Sequence, residues 1–402
     1  MKVDYRAATD ILKNAVGVTV TEEADIGRIY GRILAEDIKA SENVPSFERS
    51  PYDGYAFMAA DTVGASGENP VTLTVIEDIR AGQTAEKEVK TGTAIRLMTG
   101  AMIPEGADAV CKYEDTEYTD ASVTIRKSYI PGDNVVKAGE DIMQGTLLAQ
   151  KGITADAGLI GAMASLGITK ARVYKRPLAG IISTGDELTD SGSIPEPGKI
   201  RNSNRYTIAA ALEHIGYDTF YIGHAGDSIE ETKSLIEKGY NECDVIISTG
   251  GVSAGDYDLV PDAMTEAGYE ILLKGVGMKP GMACAYGVKG GKLMLALSGN
   301  PASSLTNLQC ICYPALRKLA GYKEYDHKLI KVRLKDDCLK AGRGTRFLRG
   351  SIDINDGEAY LCAPTGQGNV VISSSIGCNA YGILTDMQSP VKSGTLIPGF
   401  FV

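Results

Sequence analysis

The amino-acid sequence predicts a multidomain α/β protein, in which a doubly wound parallel sheet is accompanied by β-rich regions and a small helical region. Strand-like and helix-like segments alternate from residue 176 to residue 320, which is the pattern of a parallel sheet covered by helices. Short strand-like runs with glycine-rich turns precede this stretch, and others follow it from residue 328. A chain of 402 residues has room for about two to four such domains.

The region before residue 176 is predicted to contain little helix. Apolar residues at helical spacing indicate a first helix over residues 5–16, and the small-residue run "ITADAGLIGAMASLGI" indicates a second over 153–168. Between them, turn residues separate short apolar stretches, so this part is expected to form a β-rich domain. Its strands are predicted over residues 71–77, 94–98, 108–114, 122–126 and 134–138.

The alternating region supplies the predicted parallel sheet. Ligands of such sheets bind beyond the carboxyl ends of the strands, so the loops that follow the strands are expected to form the site. The strands are predicted over residues 178–182, 217–222, 244–248 and 269–274, with a hairpin-like pair over 284–288 and 293–297, and the helices over 203–215, 229–240, 258–267 and 301–320.

Charge and composition exclude several classes of function. The formal net charge of −10 argues against a general nucleic-acid binder, which needs basic surface to meet phosphates. No apolar run approaches the ~20 residues that span a bilayer, and the N-terminal segment lacks the apolar core of a signal peptide. The eight cysteines form no CxxC pair and the three histidines form no HExxH motif, so no zinc site is expected. The prediction is a cytoplasmic protein with reduced thiols that acts on neither nucleic acid nor membrane.

The stretch "DVIISTGGVSAGDYDLV" (residues 244–260) joins a buried strand to a glycine turn and two carboxylates. Gly250 and Gly251 allow a ligand to approach the backbone closely. A helix that begins near Asp258 would add its N-terminal amides to an anion-binding cradle. Carboxylates such as Asp256 and Asp258 beside that cradle favour a cation between protein and phosphate. The stretch therefore indicates a phosphorylated ligand with Mg²⁺; the alternative is a strand–turn–helix joint with solvated aspartates.

Other polar loops are predicted to reach the same crevice. "IISTGDEL" follows one strand and "LALSGNPASSL" follows another, so three glycine loops converge at one edge of the sheet. Asp227 follows a fourth strand, where two compatible roles are open: Asp227 lines the crevice, and Asp227 or Ser228 caps the following helix. So many acids near a phosphate require a divalent cation. Because no His or Cys stands ready as a nucleophile, metal-assisted attack at phosphorus is favoured over covalent catalysis. Lys279 in "MKPGM" adds a cation for an anionic ligand.

The β-rich region contributes two further acids whose place is open. Asp53 lies in "SPYDGYAF" and Asp141 in "GED", and each could equally be a turn former. Their spacing alone does not connect them to the crevice.

Together these motifs resemble the molybdopterin molybdenumtransferase family, of the MoeA type, which includes the E domain of gephyrin. The resemblance covers essentially the whole chain, in matching order, through "SPYDGYAF", "MTGAMIPEGADAV", "GEDI", "ISTGDEL", "GKIRNSNR", "GDS", "STGGVSAGDYD", "KPG" and "GNP". It implies a discontinuous linker domain over residues 1–28 and 142–175, an inserted β-rich domain over 29–141, an α/β molybdopterin-binding domain over 176–326 and a C-terminal β-barrel domain over 327–402.

The resemblance also implies a reaction and a set of site residues. The reaction would be Mg²⁺-dependent insertion of molybdate into adenylated molybdopterin with release of AMP. The protein would be an elongated homodimer, with each crevice between the α/β domain of one subunit and the β-rich domain of the other. The implied catalytic acids are Asp53, Asp141, Glu187, Asp227 and Asp258, of which Asp227 and Asp258 would hold Mg²⁺. The implied cofactor-binding residues are Thr99, Gly100, Thr184, Gly185, Asp186, Asn202, Gly250, Gly251, Ser253, Gly255, Lys279, Pro280, Gly299, Asn300 and Pro301. The implied oxyanion contacts are Lys279, Ser303, Arg349, Ser373 and Ser374.

The chain departs from the family pattern where the oxyanion is expected. Met282 and Ala283 stand where KPGKP is common, Ser298 replaces the first proline of PGNP, and Gly275 stands where a basic residue is common. These departures predict weaker oxyanion binding. They also keep open a catalytically weak scaffold or a tungstate-specific variant. A molybdopterin adenylyltransferase is a further alternative, although it would need ATP and would not need the flanking β domains; a generic nucleotide-binding module ranks last. An upstream adenylyltransferase and apo-molybdoenzymes are candidate partners.

Overall fold

The computed structural model describes residues 2–252, 259–340 and 344–402. Within them the chain forms a β-rich N-terminal region, an α/β region and a C-terminal barrel, as the sequence predicts. None of the helices in these ranges has the length and hydrophobicity that crossing a bilayer requires.

The N-terminal region consists of one six-stranded sheet and two small strand pairs. Its elements are α1 (Tyr5–Ala15), β1 (Thr21–Asp25), β2 (Ile38–Lys39), β3 (Gly54–Phe57), β4 (Val71–Ile79), β5 (Thr93–Leu97), β6 (Ala109–Lys112), β7 (Thr116–Tyr118), β8 (Ser122–Ile125), β9 (Leu147–Ala149), α2 (Ala157–Ser165) and β10 (Lys170–Tyr174). The sheet order is β6-β3-β5-β4-β8-β7, while β1 pairs with β10 and β2 pairs with β9, both antiparallel.

Two expectations for this region are wrong. No strand forms over residues 134–138, where Val136 makes only an isolated bridge to Arg49. Asn134 turns the backbone there, with φ at +56° and its side-chain amide donating to the Val110 carbonyl oxygen at 2.7 Å. The second helix begins later than predicted, because the Asp156 carboxylate accepts the N–H of Leu159 at 2.8 Å and caps it.

The sequence did not predict β3, which lies inside the sheet between β5 and β6. Its first residue explains how it fits there. A Cβ at Gly54 would lie 1.8 Å from the Cys111 carbonyl oxygen on β6, so only glycine allows the two strands to approach this closely. Asp53 precedes this strand and therefore has its backbone held by the sheet.

The α/β region matches the predicted alternation closely. Its elements are β11 (Leu178–Thr184), β12 (Leu188–Thr189), β13 (Ile200–Arg201), α3 (Asn204–His214), β14 (Asp218–Ala225), α4 (Ile229–Glu242), β15 (Val245–Thr249), α5 (Val260–Glu266), β16 (Glu270–Lys274), β17 (Met278–Lys279), β18 (Cys284–Lys289), β19 (Lys292–Leu297), α6 (Pro301–Asn307) and α7 (Tyr313–Leu319). A π-helical turn over Leu308–Cys312 joins α6 to α7.

The central sheet has the order β14-β11-β15-β19-β18-β16. Its first four strands are parallel, and the β18–β19 hairpin introduces the antiparallel neighbours. Both faces are buried: Ile181 and Ile247 pack in a core with α3 and α7, whereas Ile182 and Ile246 pack in a second core with α4 and α5. Apolar side chains on both faces are what a sheet with helices on both sides requires. The doubly wound prediction is thus confirmed.

The C-terminal region forms a closed five-stranded barrel, which decides between the predicted barrel and sandwich. Its strands are β20 (Ile330–Leu334), β21 (Thr345–Asn355), β22 (Glu358–Cys362), β23 (Ala380–Thr385) and β24 (Leu396–Phe401). The ring closes because β21 pairs with both β22 and β23. Strand β17 of the α/β region pairs with β21 from outside, with Lys279 opposite Arg346, and ties the barrel to the loop that carries Lys279.

Candidate active site

A cleft of about 560 Å³ lies at the carboxyl ends of β11, β15 and β19. This is the edge at which the sequence placed the three glycine loops. Predicted site residues that line the cleft are Thr184, Gly185, Glu187, Asn202, Asp227, Gly250, Gly251, Gly299, Asn300 and Pro301. Ser298, which departs from the PGNP pattern, also lines the cleft, together with residues that the sequence does not single out, namely Leu188, Ile200, Arg201, Ser203, Asn204, Val252 and Val370.

Glycines shape the floor of the cleft. Gly250 has φ at +104°, and a Cβ there would lie 2.5 Å from the Thr184 carbonyl oxygen. A Cβ at Gly251 would lie 2.7 Å from Cγ2 of Val260, and one at Gly299 would lie 3.5 Å from Cα of Gly250. The β15 and β19 loops therefore run close together without side chains between them. Bare backbone of this kind admits a phosphate to direct contact with peptide N–H groups.

Gly250→Ala is expected to destabilise the α/β region. The left-handed backbone and the overlap with Thr184 should together cost roughly 2 kcal/mol or more. Gly192→Ala is the matched control, because a Cβ there meets nothing within 4 Å. The urea unfolding midpoint should fall in the first variant and stay unchanged in the second. Equal midpoints would show that the loop relaxes without strain.

Two carboxylates face the cleft among the described residues, those of Glu187 and Asp227. The N-cap of α4 is Ser228, whose hydroxyl accepts the N–H of Glu231 at 3.3 Å. Asp227 is thus not needed as the cap, and no group of the described ranges donates a hydrogen bond to its carboxylate. Asp186 does not line the cleft; its carboxylate accepts the Asp227 N–H at 3.2 Å and so supports this loop.

Two asparagines of the "GKIRNSNR" motif line another wall of the cleft and stabilise it through side-chain hydrogen bonds. The buried Asn202 amide donates to the Ser183 hydroxyl at 2.8 Å, and its carbonyl accepts the Arg205 N–H at 3.2 Å. The Asn204 amide donates to the Gly299 carbonyl oxygen at 2.8 Å. Asn204 thereby connects α3 to the glycine loop after β19, while its own buried carbonyl oxygen has no partner in the described part of the chain. The motif was visible in the sequence, but its second asparagine was not singled out.

No group of three or more His, Cys, Asp or Glu side chains that could hold a metal is present in the described ranges. Ser253, Gly255, Asp256 and Asp258 lie outside those ranges. The predicted pairing of Asp227 with Asp258 around Mg²⁺ therefore stays a prediction.

Arg349, on β21, is fully buried. Its guanidinium donates to the Ser374 hydroxyl at 2.9 Å, to the Gly366 and Gly368 carbonyl oxygens at 3.3 Å and to the Thr306 hydroxyl at 3.4 Å. All of these acceptors are neutral, and Nε has no partner among the described residues. No ion pair to a carboxylate is formed by Arg349 within these ranges. Burial lowers the pKa of Arg349, because removal from water disfavours the charged form.

The loop that Arg349 holds reaches the cleft. The Asn369 carbonyl oxygen accepts the N–H of Ser303 in the first turn of α6 at 3.2 Å, and Val370 lines the cleft itself. Ser303 is buried, whereas Ser373 is exposed. The barrel therefore contributes one wall of the cleft, although none of the predicted oxyanion contacts lines it directly.

Lys279 and Pro280 belong to a loop that packs against α6, and neither lines the cleft. The Asn307 amide donates to the Gly281 carbonyl oxygen at 2.7 Å, which seats this loop against the helix. Lys279 itself is exposed and Pro280 is buried. The predicted oxyanion residues are thus arranged around α6 rather than in the cleft proper.

The acids of the β-rich region lie away from this cleft. Asp53 accepts hydrogen bonds from the Thr99 N–H at 2.7 Å and the Thr99 hydroxyl at 2.8 Å, and these donors hold the pKa of Asp53 below its ordinary value. Gly100, next to Thr99, donates its N–H to the Ser50 carbonyl oxygen at 2.8 Å. Asp141 is exposed, and its N–H donates to the Val44 carbonyl oxygen at 3.1 Å. Asp53, Thr99, Gly100 and Asp141 do not line the cleft of their own chain.

Comparison with known proteins places these features in one family. Residues 3–167 match the family described as "MoeA N-terminal region (domain I and II)", and residues 180–318 match the "Probable molybdopterin binding domain". The chain is 40% identical over 356 residues to a molybdopterin molybdenumtransferase of Staphylococcus epidermidis, covering 87% of this chain and 85% of that protein. It is 35% identical over 364 residues to a protein of the same name from Staphylococcus aureus, covering 90% of this chain and 86% of that protein.

The fold agrees with this match. The crystal structure of the molybdopterin biosynthesis moeA protein from Pyrococcus horikoshii OT3 superimposes with a TM-score of 0.86 and 30% sequence identity, over 100% of both chains. The similarity therefore extends from the β-rich region through the barrel. Sequence identity, coverage and fold all indicate the same family. We conclude that this chain belongs to the molybdopterin molybdenumtransferase family.

Proposed function

We propose that this protein is a molybdopterin molybdenumtransferase of molybdenum cofactor biosynthesis, which inserts molybdate into adenylated molybdopterin. The proposal rests on a cleft that is lined by glycines and two carboxylates, in a chain that is 40% identical to a molybdopterin molybdenumtransferase. We further propose that the reaction depends on Mg²⁺ and releases AMP.

The cleft suits a phosphorylated ligand with a hard cation. Gly251 and Gly299 line the cleft and offer their peptide N–H groups to phosphate oxygens, whereas the N–H groups of Gly185 and Gly250 already donate to the Ala225 and Leu297 carbonyl oxygens. Glu187 and Asp227 offer carboxylate oxygens, which are the ligands that Mg²⁺ prefers. Asp227 fits best, since its helix-capping duty is taken by Ser228. We assign Mg²⁺ to Asp227 together with Asp258. The cation would offset the repulsion between these acids and the phosphates.

Molybdate is a dianion, and Arg349 offers a site for the oxyanion. A buried guanidinium surrounded by neutral acceptors lacks the partner that a buried charge requires. An oxyanion beside Arg349 and Ser374 would supply that charge, with Lys279 and Ser303 as further donors. We also include the exposed Ser373 among the proposed oxyanion contacts. This arrangement would separate the oxyanion half of the site from the nucleotide half by α6.

The acids of the β-rich region complete the proposal. Asp53 and Asp141 do not reach the cleft of their own chain, which supports a homodimer in which each cleft receives them, with Thr99 and Gly100, from the partner subunit. We place the protein in the cytoplasm. An upstream adenylyltransferase would supply its substrate, and apo-molybdoenzymes would take its product.

One assay tests the reaction. The purified protein is mixed with adenylated molybdopterin, Mg²⁺ and either molybdate or tungstate, and AMP and metal-loaded cofactor are quantified. We expect stoichiometric AMP release that stops with a chelator and resumes with Mg²⁺. Binding of the pterin nucleotide without AMP release would indicate a scaffold instead. Adenylation of molybdopterin by ATP would indicate an adenylyltransferase.

Replacing Arg349 by lysine is expected to raise the apparent KM for molybdate by about tenfold or more, because a lysine cannot reproduce the planar fork. Affinity for the pterin nucleotide should change little. Arg333→Lys is the control, since Arg333 pairs with Glu358 on the surface of the same barrel. An unchanged molybdate KM in a folded Arg349→Lys protein would remove Arg349 from the oxyanion site.

A further inference from the structure

The N-terminal segment runs beside the loop that carries Lys279. Val3 forms a parallel bridge with Val276, and the Gly277 N–H donates to the Val3 carbonyl oxygen at 2.7 Å. Two residues later, the Tyr5 ring packs edge-on against Phe347 of the barrel, with 5.3 Å between centroids. The backbone at Lys2 is therefore held between the α/β region and the barrel, at the place where β17 joins them.

The Lys2 side chain crosses both ends of this loop. A Cβ at Gly275 would lie 3.8 Å from Cγ of Lys2, and the Lys2 ammonium contacts the thioether sulfur of Met282. Lys2 and Met282 are both exposed, so the ammonium is open to solvent. A thioether is only a weak acceptor, and an ammonium has three donors. Most of the hydrogen-bonding capacity of Lys2 thus remains for another group.

The lysines of this loop lack carboxylate partners. In the described part of the chain, Lys2, Lys274 and Lys279 form no ion pair with an acid within 4.0 Å. Asp4, the nearest acid along the N-terminal segment, directs its carboxylate to the Arg6 N–H at 2.9 Å and caps α1. Positive charge is therefore concentrated here without local neutralisation, which raises the concentration of small anions.

We propose that Lys2 is a further anion-binding residue of the oxyanion half of the site. It presents an ammonium at Met282, an uncharged position on the same loop as Lys279. The aliphatic stem of Lys2 passes beside Gly275, at ordinary contact distance from the place where a Cβ would lie. The inference rests on the proposed function, because the ligand that it assigns to Lys2 is a tetrahedral metal oxyanion with two negative charges. The fold brings Lys2 to this loop from the N-terminal segment.

Relocating the charge tests the proposal. Lys2→Met removes the ammonium, and the double variant Lys2→Met with Met282→Lys returns one to the same place from the loop. Lys331→Met, on an exposed position of β20, is the control. We expect Lys2→Met to raise the apparent KM for molybdate about three- to tenfold, a modest factor because water screens an exposed charge. The double variant should restore it, and the KM for the pterin nucleotide should stay constant in all variants.

Molybdate binding is also measured directly by calorimetry at two salt concentrations. The wild type should lose affinity with salt more steeply than Lys2→Met. If the wild type releases AMP and Lys2→Met keeps the same molybdate KM and affinity, the proposed role of Lys2 is overturned, whereas the proposed reaction stands. A wild type that binds molybdate but releases no AMP would overturn the proposed reaction, while Lys2→Met would still report on the anion site. Absence of molybdate binding in the wild type would overturn both.

Discussion

Asp227→Asn is expected to lower the rate of AMP release by on the order of a hundredfold or more. Asparagine keeps the size of the side chain and removes the negative charge. If Asp227 holds Mg²⁺, losing that charge removes several kcal/mol of transition-state stabilisation. Single-turnover AMP release at saturating adenylated molybdopterin and several Mg²⁺ concentrations measures the effect. The loss should shrink as Mg²⁺ is raised, because weak metal binding can be overcome by mass action.

Ser228 provides the matched control for this variant. Ser228→Ala removes the N-cap of α4, which should cost about 1 kcal/mol of stability, and it leaves the carboxylate of Asp227 in place. We expect a lower unfolding midpoint with near-normal AMP release. The opposite pattern, a stable Ser228→Ala protein and a fully active Asp227→Asn protein, would mean that Asp227 is only a solvated loop residue.

Two inactive variants are expected to restore each other in a mixture. Asp53→Ala and Asp227→Ala should each abolish AMP release. A heterodimer of the two has one cleft with both substitutions and one with neither, so it should show about half the activity of a wild-type dimer by the symmetry of the composite site. The Thr99 N–H and hydroxyl, which donate to the Asp53 carboxylate, hold the pKa of Asp53 below its ordinary value and fix the orientation of the carboxylate.

Subunit exchange has to be shown independently, for example by mass spectrometry of differently tagged chains. A mixture of Asp227→Ala with Glu187→Ala is the negative control, because both residues line the cleft of the same chain. In that heterodimer each cleft carries one substitution, and no activity should return. If subunit exchange is proven and the mixture of Asp53→Ala with Asp227→Ala still releases no AMP, a site shared between subunits is contradicted.

The α/β region was predictable because its strands are buried on both faces. Continuous apolar runs such as Val245–Ile247 and the intervening amphipathic helices leave few alternatives, and glycine loops mark the strand ends. The cleft followed from that topology. The sequence left the role of Asp227 undecided, since an aspartate before a helix is an equally good cap. The position of the Ser228 hydroxyl settled which residue is the cap.

Features that depend on contacts distant in sequence were not predictable. Strand β3 exists because Gly54 fits against Cys111, and nothing local distinguishes that glycine from a turn. The burial of Arg349 depends on a loop that begins 17 residues later, at Gly366. The contact of Lys2 with Met282 spans 280 residues. Spacing arguments apply to neighbours in one element, so pairings of this kind remain invisible to them.

The pairing of β1 with β10 has a consequence for how the chain folds as it is made. Strand β1 leaves the ribosome long before Lys170–Tyr174 exists, and the whole six-stranded sheet of the β-rich region is synthesised in between. That sheet can form as soon as Ile125 has emerged, because all its strands lie between β3 and β8. Once folded, it fixes the separation between residues 54 and 125, shortens the flexible loop between β1 and β10, and so lowers the entropy that this strand pair loses on forming. Loosening the inserted sheet should therefore slow the closure of a strand pair that it never touches.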